Sequence, residues 1–62
     1  MFNLYLKKGI SKNGKPYCAI VMEDFFGTSF VTFDTNIIMR MSGYTAQEIF
    51  LLDNGCHKFK EV

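Results

Sequence analysis

The dipeptide Asn13-Gly14 constrains this chain more than any other pair of residues in it. Leu4-Tyr5-Leu6 lies before it and Tyr17-Cys18-Ala19-Ile20-Val21-Met22 after it, two runs with the composition of strands. Asn-Gly favours a two-residue type I′ turn, because both central residues take positive φ and the turn matches strand twist. A β-hairpin from Phe2 to Glu23 is therefore expected. In that register Lys12 faces Lys15, Ser11 faces Pro16, Ile10 faces Tyr17, Lys8 faces Ala19 and Leu6 faces Val21. Period-two alternation then gathers Leu4, Leu6, Ile10, Tyr17, Ala19 and Val21 on a core face. Tyr5, Lys7, Cys18, Ile20 and Met22 fall on the other, which is too apolar to stay bare, so a helix, a second sheet or another subunit should cover it.

Pro16 has no N–H to give a third strand, which must stop short of it. Thr28 to Phe33 fits: it is β-branched and aromatic, and the reversal at Glu23-Asp24-Phe25-Phe26-Gly27 folds it back onto Cys18 to Glu23. Asp34 or Thr35 can cap a helix from Asn36 to about Ser42, burying Ile37, Ile38 and Met41 and closing at Gly43. Thr45-Ala46-Gln47-Glu48 reads as a capping box, so a second helix runs to about Leu52 with Ile49, Phe50 and Leu52 inward. After the turn at Asp53-Asn54-Gly55, Cys56 to Val62 alternates around Phe59 and is expected as an edge strand. The order is β-β-β-α-α-β. It describes one α+β domain over residues 1–62, an antiparallel sheet of three to four strands with one or two short helices on one face.

Sixty-two residues hold one small core, and a chain of this length buries only about 60% of its unfolded surface. Yet 48% of the residues are hydrophobic, with seven Phe and three Tyr, which is more apolar surface than such a core hides. Disorder is excluded on that ground, and self-association is expected. A net charge of +1 supplies no global field toward nucleic acid or membrane, although Lys7, Lys8, Lys12 and Lys15 all fall within the first hairpin. No apolar stretch approaches the roughly 20 residues of a membrane helix, and the amino end does not read as a signal peptide. Two cysteines without an export signal point to a cytoplasmic protein with free thiols, although a bond between Cys18 and Cys56 stays open without distances.

Three constellations bear on chemistry. Tyr5, Lys7, Lys8, Lys12, Lys15 and Tyr17 combine ammonium groups that pair with phosphates and rings that stack on unpaired bases, although Tyr17 falls on the expected core face. The bland alternative is that hairpin lysines keep the sheet soluble and blunt edge pairing. Cys18, Cys56 and His57 are good zinc ligands individually, but adjacent strand residues point to opposite faces and a structural site wants four ligands. No metal or other cofactor is expected. The two helices resemble a helix-turn-helix only in outline, since Ala46 to Leu52 carries no lysine or arginine. Glycine-rich phosphate loops, a serine elbow and a framed carboxylate pair are all missing from the sequence, so no enzymatic activity is expected.

Ser11-Lys12-Asn13-Gly14-Lys15-Pro16-Tyr17 followed by an apolar strand resembles the hairpins of small single-stranded-DNA-binding β-barrel proteins, including those of filamentous phages. Leu4-Tyr5-Leu6-Lys7-Lys8, this hairpin and Ser29-Phe30-Val31-Thr32-Phe33-Asp34 together resemble small uncharacterised proteins of phages and bacterial mobile elements. What these likenesses imply is an accessory protein without a catalytic motif. The leading expectation is a non-enzymatic homodimer that acts on a protein partner and hides Cys18, Ile20, Met22, Phe25 and Phe26 at its interface. The alternative is a single-stranded nucleic-acid binder using Tyr5, Lys7, Lys8, Lys12 and Lys15.

Overall fold

In the computed structural model, which describes residues 3–60, the chain forms β1 (Asn3–Ile10), β2 (Pro16–Asp24), β3 (Gly27–Thr32), α1 (Thr35–Ser42), α2 (Ala46–Leu51) and β4 (Gly55–His57). The strands make one antiparallel sheet in the order β3-β2-β1-β4, and both helices pack on one face of it. This is the expected α+β architecture. The last strand, whose pairing the sequence left open, joins the free edge of β1. It is only three residues long, and its expected continuation to Val62 falls partly on residues 61–62, outside the described residues.

The hairpin forms one register away from the expected one. Ile10 faces Pro16, Lys8 faces Cys18 and Leu6 faces Ile20. Type I′ needs positive φ at both Asn13 and Gly14, but only Gly14, at φ 79°, is there. Instead the Gly14 N–H donates to the Ser11 carbonyl at 2.9 Å and the Ser11 N–H to the Lys15 carbonyl at 2.8 Å. That is a three-residue loop, a tight turn followed by a left-handed glycine. One extra loop residue exchanges the faces of β2 relative to β1. Leu4, Leu6, Lys8, Cys18, Ile20 and Met22 now share one face, and Tyr5, Lys7, Gly9, Tyr17, Ala19 and Val21 the other.

The first face carries the core. Leu6, Ile20, Ile38 and Ile49 form its buried centre, with Leu4, Cys18, Met39, Tyr44, Leu52 and Phe59 packed around them. Ile20 and Cys18, expected at an interface between subunits, are thus covered by helices of their own chain. The helices contribute fewer residues than their apolar content suggests. On α1 it is Ile38 and Ser42, one turn apart, that point down, while Ile37 and Met41 are exposed. The Ser42 hydroxyl avoids an unmet hydrogen bond by donating to the Ile38 carbonyl at 2.6 Å. Asp34 caps this helix through the Asn36 N–H at 2.9 Å, and Gly43 closes it at φ 81°. On α2 Ile49 is buried, Leu52 follows it inward, and Phe50 points out to solvent.

The capping box of α2 forms as expected: the Glu48 N–H donates to the Thr45 hydroxyl and the Thr45 N–H to the Glu48 carboxylate. Lys60 pairs with the second carboxylate oxygen of Glu48. The Lys60 hydrogen bond, then the Thr45 N–H, hold the Glu48 carboxyl below its ordinary value of 4.5. A depressed carboxyl contributes stability that is present above its unfolded value and lost as pH falls through its folded value. Urea midpoints should therefore fall as the pH drops below about 4.5, with a smaller acid-dependent drop in Glu48→Gln, which keeps the cap but not the ion pair. Identical pH profiles for the two proteins would remove this linkage.

Candidate binding face of the sheet

The face of the sheet away from the helices is the candidate site. Ala19 and Val21 point to it and are fully buried, yet neither belongs to the core beneath the helices. Side chains lying on that face must therefore cover them. Tyr5 and Phe30 flank Val21 on the neighbouring strands. Tyr17 lies across Gly9, where an added Cβ would meet its hydroxyl at 2.8 Å and Cζ at 2.9 Å. Only glycine leaves room for the ring to lie flat there.

Phe33, just beyond β3, completes a triad of rings. Tyr17 meets Phe30 edge-on at 6.2 Å between centroids and Phe33 at 6.3 Å, while Phe30 and Phe33 stack at 5.2 Å. Phe30 and Phe33 remain 51% and 58% exposed, a large apolar surface to leave in water. These rings, with Ile10, Ser11 and Lys12, line an open groove of about 430 Å³. A bulge in β3 aims Phe30 into this arrangement: Ile20 faces Thr32 and Val21 faces Phe30, which leaves Val31 as the extra residue.

Among the residues expected to contact nucleic acid, the sheet separates two neighbours. Lys7 stands on the open face, opposite Ala19 and Cys56. Lys8 points the other way, and its ammonium donates to the carbonyls of Ile49 at 2.7 Å, Leu52 at 3.0 Å and Phe50 at 3.2 Å. It closes the end of α2, with its ammonium engaged by three backbone carbonyls. Lys12 borders the ring groove, and Lys15 lies exposed at the base of the loop. Tyr5 sits on the open face, its hydroxyl held above the ordinary value of 10.0 by lost solvation and then by Cys56 and Glu23. Sequence alone sets Tyr17 beside the lysines and does not point to Phe30 or Phe33. The expected register puts Tyr17 on the core face, one residue away from the observed pairing with Gly9, and no pattern within β3 announces that Phe30 meets a ring of β2.

The remaining candidates disperse. Phe25 and Phe26 occupy the tip between β2 and β3, 91% and 99% exposed, with the Phe26 N–H held by the Asp24 carboxylate at 2.8 Å. Met22 is half-buried at the end of the helix-covered face. Cys18 and Cys56 are free thiols on opposite faces of the sheet, and burial pushes the Cys18 thiol up. The His57 Nε2–H donates to the Asp53 carbonyl, 2.7 Å away, on the face opposite Cys56. Among the described residues no three His, Cys, Asp or Glu side chains converge, and no helix is long and apolar enough to cross a membrane. No family model, curated protein or solved structure matches the chain.

Proposed function

We propose that this chain is a small non-enzymatic protein that binds single-stranded nucleic acid on the open face of its sheet. The observation that carries the reading is the triad of Tyr17, Phe30 and Phe33, with both phenylalanines half-exposed and Lys12 at its border. Exposed rings accept unpaired bases of any sequence, and lysines beside them meet the phosphates that connect those bases. Lys7 and Lys15 extend the basic border, and Tyr5 adds a ring on the same face as Tyr17. Lys8 drops out of the set expected from sequence.

This ordering reverses the one the sequence suggests. The homodimer expectation rests on the apolar surplus of the chain, and of the residues it would hide α1 and α2 already cover Ile20 and Cys18. A protein partner remains the second reading, favoured by Phe25 and Phe26 at the tip of the β2–β3 turn. Either role suits an accessory protein of the phage or mobile-element kind.

Anisotropy titration with a labelled single-stranded oligonucleotide at low salt tests the proposal. Phe30→Ala and Phe33→Ala should each weaken binding by about 5- to 150-fold, the range that losing about 1–3 kcal/mol of ring–base stacking spans. Lys12→Glu with Lys15→Glu should flatten the dependence of affinity on salt. Absence of binding at low salt, or equal affinity for duplex, would sink the reading.

A further inference from the structure

The sheet has two edges, and they are treated differently. β4 is three residues long, and Lys58 and Lys60 follow it as the chain turns away to donate the Lys60 N–H to the Ser42 carbonyl at 2.8 Å. Shortness and nearby lysines are how sheets blunt an edge. β3 has neither protection. It runs six residues, Gly27 to Thr32, without a charged residue or proline, and Gly27 through Val31 are all exposed. In an antiparallel ladder every second residue turns its N–H and C=O away from the paired strand. The bulge at Val31 disturbs only one end, so Thr28 to Phe30 stays regular against β2.

We propose that β3 pairs antiparallel with β3 of a second copy, joining two four-stranded sheets into one of eight strands. A strand that pairs with its own copy across a two-fold axis normal to the sheet is antiparallel, and each partner uses the same surface. That axis also keeps matching faces on one side. Both helix layers then cover one side of the joined sheet, and the rings of both copies line the other.

A second copy fits this edge better than an unrelated charged segment. β3 offers no charge to complement, whereas a copy of β3 brings its own exposed Phe30 and Val31 alongside these apolar side chains. A chain of 62 residues, with little core to spare, gains from such a partner. The pairing stands independently of the ligand. Its consequence for the ligand rests on the nucleic-acid reading above: two ring triads become one continuous platform, and the length of strand engaged about doubles.

Sedimentation velocity over a range of concentrations, with amide exchange on the same samples, tests the pairing in the unaltered protein. The expected result is a dimer at micromolar concentration, with exchange between Thr28 and Val31 slowing as concentration rises. Thr28→Lys and Val31→Lys each place a charge at an exposed position on the edge and should return the protein to a monomer. A monomer at every concentration overturns the proposal, as does a dimer that both lysine variants leave intact, or exchange in β3 that ignores concentration. Should the variants fail to fold, the exchange result on the unaltered chain decides alone. Titration with oligonucleotides of increasing length separates the two ideas. Monomeric Val31→Lys that saturates about half the length confirms the joined platform, and equal lengths overturn it. A dimer that binds no oligonucleotide ends the nucleic-acid reading while leaving the β3 pairing in place.

Discussion

Ile20→Ala should remove a large share of the chain's stability. Ile20 is completely buried where Leu6, Ile38 and Ile49 meet, so its truncation opens a cavity that two strands and two helices line. Replacing a buried isoleucine by alanine costs about 2–5 kcal/mol. A chain of 62 residues holds roughly 3–9 kcal/mol in total, from the usual 0.05–0.15 kcal/mol per residue. One substitution therefore removes a large share of the whole. Far-UV circular dichroism with a urea titration reads the effect. The contrast with Phe30→Ala is the sharper test, because Phe30 is the larger side chain but half-exposed. If Phe30→Ala proved the more destabilising of the two, the assignment of core and open face would be wrong.

Lys7 and Lys8 should fail in opposite ways when replaced. They are adjacent in sequence and differ only in which face of β1 they occupy. Lys8 donates to three carbonyls at the end of α2, where the helix dipole also favours a cation. Hydrogen bonds to a charged group contribute about 1.5–3 kcal/mol. Lys8→Met keeps the aliphatic stem and removes the donor, so stability should fall by roughly 1–2 kcal/mol, around the lower end of that range because water reaches Phe50. Oligonucleotide affinity of the folded fraction should change little. Lys7→Met should do the reverse, with an unchanged urea midpoint and weaker, less salt-dependent binding. Measuring both quantities on both variants gives a two-by-two comparison. Loss of affinity in Lys8→Met without loss of stability would return Lys8 to the binding surface.

Much of the fold was legible in the residues. The glycines at Gly14, Gly27 and Gly43, the cap at Asp34 and the Thr45-Glu48 box mark where elements start and stop by local chemistry alone. Pro16 limited the reach of β3, which pairs only from Ile20 onward. The faces were not legible in the same way. Asn13-Gly14 satisfies two turn types that differ by one residue of loop, and only the backbone angle at Asn13 separates them. A shift of one residue carries every side chain of β2 to the opposite side relative to β1. The two apolar sets of the hairpin are similar enough that composition could not choose between them.

The candidate site shows the same limit. Lysines cluster in the hairpin sequence, but their roles part with the pleat: Lys7 to the open face, Lys8 to a helix end some 40 residues further along. The ring triad joins residues from β2, β3 and the segment beyond, and none of these stretches is distinctive alone.

Taken by itself, the sequence determined the strand-rich hairpins, both helix starts, the element order and the α+β class, because each depends on backbone preferences of neighbouring residues. Only the tertiary structure decided the hairpin register, the pairing of β4, which isoleucines are core, and which lysines are free. Those outcomes depend on how two apolar faces compete for one helical cover. Ile38 and Ile49 settle that competition in favour of Leu6 and Ile20, and Tyr17 and Phe30 are left facing outward with Phe33 beside them.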